Sequence, residues 1–64
     1  MTARERVEKE LNELVDKHEK LMAFLDSEKY LSLTSENKQY LIIQSRIMSA
    51  YIDVLKARLM AWVD

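Results

Sequence analysis

Not one of the 64 residues is Gly or Pro. Without Gly the chain has no inexpensive residue for positive φ, so tight β-hairpins and Gly-rich phosphate loops are disfavoured. Without Pro nothing interrupts a long helix. Whatever this chain folds into must be made of helices joined by turns that ordinary residues can adopt. The absence of Cys removes disulfides and thiolate metal sites as staples, and the single His excludes a site built on several imidazoles of one chain. So short a domain has little core for its surface and usually needs a staple; the common one left is oligomerisation.

The order of residues supports this. Thr2 followed by Glu5 fits a capping box, which predicts a helix from about residue 3. Val7, Leu11, Leu14, His18, Leu21 and Leu25 then recur at alternating spacings of 4 and 3, a heptad seam that Val15 and Met22 widen. The remaining faces carry Glu, Lys, Asp, Asn and Arg. Glu13 with Lys17 and Asp16 with Lys20 are spaced to pair at i, i+4. Helix 1 is expected over about 3–25. A connection over 26–34 follows, with one short helical turn at Glu28 to Leu31, and Thr34 is expected to cap helix 2 over about 35–62, with Glu36 in its first turn. Two helices of similar length joined by a short link pack antiparallel. The fold class is all-α, a single helical-hairpin domain over 1–64.

Helix 2 carries more apolar surface than helix 1 can cover. Tyr40, Leu41, Ile43, Ile47, Met48, Tyr51, Ile52, Val54, Leu55, Leu59 and Trp62 spread over roughly 180° of its surface, whereas one neighbouring helix needs a stripe of little over 100°. The surplus is expected to meet another chain, through Leu41, Ile47, Met48, Tyr51, Ile52, Leu55, Leu59 and Trp62. A pair of hairpins forming a four-helix bundle is the simplest closed arrangement. The polar face is expected to hold Ser45, Arg46, Ser49, Asp53 and Lys56.

Few residues suggest chemistry. His18 lies in the seam of helix 1 with Leu14, Val15, Leu21 and Met22 three or four residues away, so no carboxylate on its face would make it a switch. Carboxylates are plentiful, but none pairs with another on an apolar face, and no Glu-x-x-His motif points inward as a di-iron site would require. No enzyme is read here, and no cofactor or metal. Gln44 and Arg58 interrupt the apolar arc of helix 2, each seven residues from Tyr51, with Tyr40 on the same side. Such residues either specify helix pairing or bind a phosphate, carboxylate or peptide group beside a stacking ring. Tyr40, Gln44, Arg46, Lys56 and Arg58 are the candidate ligand or partner residues.

Ten Lys and Arg against eleven Asp and Glu give a formal charge of −1, which lacks the basic footprint of a nucleic-acid binder. No apolar run approaches a membrane span, and Met-Thr-Ala-Arg-Glu-Arg has no signal-peptide core, so a cytoplasmic protein is expected.

Glu5-Arg6-Val7, Glu10-Leu11, Lys20-Leu21, Phe24-Leu25, Leu33, Leu41, Gln44, Met48, Tyr51, Leu55 and Arg58-Leu59 follow one another in an order that resembles a group of small phage-encoded helical hairpins, found in crAss-like and other tailed phages. The less generic of these are Glu-Arg-Val and the run from Gln44 through Met48 to Tyr51. The resemblance implies a phage accessory protein acting in an infected bacterium, with no active site. By analogy it binds a bacterial host protein, including one of an antiviral defence system. The alternative is an oligomeric sponge that holds a nucleotide signal between chains. A nucleic-acid-binding modulator ranks third on charge.

Overall fold

The computed structural model describes residues 1–63. Three helices follow in order: α1 (Ala3–Leu25), α2 (Glu28–Leu31) and α3 (Ser35–Met60). There is no strand among the described residues. α1 and α3 lie alongside each other as an antiparallel hairpin with extents of 48 × 16 × 14 Å.

Each helix start has a side-chain cap. Thr2 Oγ1 accepts from the Glu5 N–H at 3.1 Å, and Glu5 Oε1 accepts from the Thr2 N–H at 3.1 Å, closing the capping box. Ser27 accepts from the Tyr30 N–H at 3.4 Å to start α2, and Thr34 accepts from the Asn37 N–H at 3.2 Å to start α3. The ends show what lacking Gly entails. A left-handed closing residue would require positive φ, and no described residue has it. Asp26, Ser32 and Ala61 instead close the three helices at φ −96°, −81° and −91° with ψ near zero; the Asp26 and Ser32 N–H groups bond three residues back, while at the end of α3 Ala61 still reaches Ala57 and the three-residue step comes at Trp62 to Leu59. That tightening ends α3 at Met60, two residues before the Trp62 that periodicity suggested.

The connection closes the hairpin with aromatic contacts. Phe24 and Tyr30 meet edge-on with ring centroids 6.5 Å apart, and Lys38 Nζ lies 5.7 Å from the Tyr30 ring centroid. This keeps the start of α3 against the end of α1 and sets the register of the pair.

The core is thin. Val7, Ile52 and Leu55 are its buried apolar side chains, and Leu55 alone is fully enclosed at 0% exposure. Leu11, Leu14, His18, Leu21 and Leu25 on α1 are half-buried, as are Leu41, Met48 and Leu59 on α3. The seam of α3 therefore runs Leu41, Ser45, Met48, Ile52, Leu55, Leu59, Trp62 at heptad spacing. Ser45 corrects the expected polar face: at 8% exposure it sits in this seam. Its hydroxyl donates to the Ile42 carbonyl at 2.7 Å, so its burial leaves no polar group unsatisfied. Among the ion pairs Asp16–Lys20 forms at 3.0 Å, but Glu13 takes Lys9 at 3.9 Å and not Lys17.

Candidate functional site

The seam just described divides the residues expected at an oligomer surface. Leu41, Met48, Ile52, Leu55 and Leu59 belong to the contact of α3 with α1 inside one chain. The apolar arc is wide because it holds two stripes side by side, and one of them is spent on the hairpin. Ile47 and Tyr51 lie on the other. Trp62, half-buried, lines a shallow notch of about 420 Å³ with Thr2, Ala3 and Arg4 at the open end of the hairpin.

The second stripe runs Tyr40, Gln44, Ile47, Tyr51, Val54, Arg58, Ala61, again at alternating spacings of 4 and 3, and every one of these residues is exposed. At about 100° per residue its centre stands roughly 100° around α3 from the seam. Ile47 is 64% and Val54 52% exposed, large values for branched apolar side chains in the middle of a helix. Ile43 and the small residues Ala50 and Ala57 flank the stripe.

Of the five candidate binding residues, Tyr40, Gln44 and Arg58 stand together on this stripe. Arg46 and Lys56 do not: helical spacing turns them roughly 120° and 160° away from Arg58. Two carboxylates border the stripe. The Tyr40 hydroxyl donates to Glu36 Oε1 at 2.7 Å, one turn earlier on α3. The Tyr51 hydroxyl donates to Glu10 Oε1 on α1. In each case the hydrogen bond to a carboxylate favours the neutral phenol and raises its pKa. Sequence reading missed the role of Glu10 and treated it as one more solvated helix carboxylate. Its partner is 41 residues away, and no spacing within α1 signals it.

The stripe is thus an apolar band interrupted by one amide and one guanidinium, with an anchored phenol near its start. Chemically the Tyr40 ring can stack, Arg58 can bind phosphate with two N–H groups, and Gln44 can both donate and accept, but Arg58 lies about 21 Å along the helix from Gln44 and further from Tyr40, so one chain does not bring all three to a single ligand. Among the described residues no group of three or more His, Asp and Glu is placed to hold a metal ion, and no helix is long and apolar enough to cross a membrane.

The Sequestin family model matches residues 1–61, which leaves only the last three positions outside. The chain belongs to the Sequestin family. The match covers both long helices, the connection and the whole exposed stripe. Comparison with curated proteins and with solved structures gives no match.

Proposed function

We propose that this protein is a non-enzymatic sponge: a self-associating helical hairpin that binds and withholds a nucleotide signal at a site between chains. The observation that carries the reading is the placing of Tyr40, Gln44 and Arg58 on one exposed face that the hairpin does not use, with Arg58 about 21 Å along the helix from Gln44, so that a single ligand can meet all three only where two chains pair. The family name, Sequestin, describes a sequestering role and agrees with it. The likeness to phage accessory hairpins supplies a setting, the cytoplasm of an infected bacterium, where withholding a nucleotide messenger would disarm a defence system.

The apolar part of the same stripe supports a second reading. Ile47, Tyr51 and Val54 at helical spacing could receive an amphipathic helix of a bacterial host protein. A thermal-shift panel separates the two. With cyclic AMP, cyclic GMP, cyclic di-AMP and cyclic di-GMP supplied in excess, a ligand at about 100 times its Kd adds about 2.7 kcal/mol of stability. Stabilisation by one member supports the sponge. No shift with any of them removes these nucleotides as cargo and leaves the host-protein reading in front. A gel shift at low salt tests the remaining nucleic-acid reading, which the formal charge of −1 disfavours.

A further inference from the structure

The exposed stripe of α3 is spaced almost symmetrically about its middle residue, with unlike but complementary residues at mirrored positions. Tyr51 is its centre. Ile47 and Val54 lie four residues before it and three after, Gln44 and Arg58 seven before and seven after, and Tyr40 and Ala61 eleven before and ten after. Two copies of α3 laid antiparallel about Tyr51 would therefore set Ile47 against Val54, Gln44 against Arg58 and Tyr40 against Ala61, each pair occurring twice. Apolar meets apolar, an amide meets a guanidinium, and a large ring meets a methyl group. A parallel pairing would set Arg58 on Arg58 and Tyr40 on Tyr40, with repulsion and crowding at either end. Ala50 and Ala57 beside the stripe allow the backbones to approach closely.

The surface area agrees. A compact monomer of 7.6 kDa exposes roughly 4300 Å², whereas this hairpin exposes 5120 Å². The surplus of about 800 Å² belongs to the elongated 48 × 16 × 14 Å shape and is of the size that one partner buries in a standard interface.

We propose that a second copy of this chain docks on the stripe, antiparallel about a twofold axis at Tyr51, and that each ligand site is completed across it. Arg58 of one copy stands beside Tyr40 and Gln44 of the other. The two sites lie about 21 Å apart along the helices, so a pair takes two ligands, one at each site. The Glu36 carboxylate that holds the Tyr40 hydroxyl repels phosphate from that end, which directs the phosphate to Arg58 and the base to Tyr40. The ligand class rests on the sponge reading; the register does not.

The chain has no Cys, so introduced thiols report the register cleanly. On mild oxidation Tyr51→Cys, on the axis, links to itself. Ala61→Cys does not, because its two copies stand about 30 Å apart, but it links to Tyr40→Cys when the two variants are mixed. Circular dichroism on each variant verifies that it is helical. Self-linking of Ala61→Cys, or a monomeric mass by light scattering together with no cross-links, overturns the pairing. Mixing also tests the composite site, by equilibrium dialysis against whichever of the four cyclic nucleotides stabilises the wild type. Arg58→Ala and Gln44→Ala each lose binding, yet an equal mixture recovers about a quarter of the wild-type sites, because half the pairs are mixed and each mixed pair keeps one intact site. No recovery overturns the shared site. The expected linking pattern with none of the four nucleotides bound supports the pairing and removes these four as its ligands; binding by a monomer overturns the pairing and keeps the nucleotide reading.

Discussion

The Tyr51 hydroxyl donates to the Glu10 carboxylate, joining α3 to α1 across 41 residues of sequence on the exposed flank of the hairpin. It is the polar contact that borders both the intrachain seam and the free stripe. The carboxylate favours the neutral phenol, so Tyr51 ionises above the ordinary Tyr value of about 10. A raised pKa adds stability that is complete below the unfolded value and is lost as pH rises through the folded one. Glu10→Gln should bring the Tyr51 titration down toward the ordinary value, followed by NMR of ring-labelled tyrosines. Tyr40, held by Glu36, should not move. An unchanged Tyr51 midpoint in the variant would show that the contact does not persist in solution.

Leu55 and Ile47 test which stripe builds the hairpin. Leu55 is fully enclosed, so Leu55→Ala removes buried methyl groups and should cost about 2–5 kcal/mol in urea denaturation. In a domain with so few buried side chains that is a large part of its stability. Ile47 is 64% exposed within one chain, so Ile47→Ala should change the stability of the isolated hairpin by no more than about 0.5 kcal/mol. Its effect should appear as a lower mass at micromolar concentration. Equal costs for the two variants at a concentration where the chain is monomeric would contradict the assignment of the stripes.

The helices were legible because their signals are local. Thr2 with Glu5, Thr34 with Glu36 and the alternating spacing of Val7, Leu11 and Leu14 each specify structure within one or two turns. The width of the apolar arc on α3 was legible for the same reason. Its division into two stripes was not. Leu55 and Ile47 are equally apolar in sequence, and only the packing of the hairpin separates them, with Leu55 enclosed and Ile47 exposed. Ser45 was misplaced because a hydroxyl reads as polar surface until its local bond to the Ile42 carbonyl is known. Ile42 and Met60 occupy one side of the helical wheel yet differ: Ile42 is half-buried, while Met60, at the last turn, is 90% exposed. Of the binding candidates, Tyr40, Gln44 and Arg58 share a face by spacing alone, whereas Arg46 and Lys56 were named for exposure and charge and stand elsewhere.

The capping box of α1 carries a pH dependence of the opposite sign. The Thr2 N–H and hydroxyl hold the Glu5 carboxyl below its ordinary value. A lowered pKa adds stability that is present above the unfolded value and is lost as pH falls through the folded one. Glu5→Gln, which can still accept from the Thr2 N–H but does not titrate, should therefore flatten the acid limb of the stability curve, measured by urea denaturation between neutral pH and about pH 3. An acid limb with the same slope as wild type would place its origin in other carboxylates.

Arg58 and Arg46 offer the sharpest test of where the ligand binds, because they carry the same charge on the same helix. Arg58 belongs to the stripe with Tyr40 and Gln44, while Arg46 is turned roughly 120° away. Both are exposed, and replacing either changes net charge equally. A general electrostatic attraction for phosphate would be weakened alike by both replacements. A site formed on the stripe responds only to Arg58. Loss of a hydrogen bond to a charged group costs about 1.5–3 kcal/mol, so Arg58→Ala should weaken nucleotide binding about 10- to 150-fold. Arg46→Ala and Lys56→Ala should stay within about twofold, since long-range attraction is screened at physiological salt. Isothermal titration with the stabilising cyclic nucleotide reads all three. Equal losses at Arg58 and Arg46 would move the site off the stripe and onto the charge of the helix as a whole.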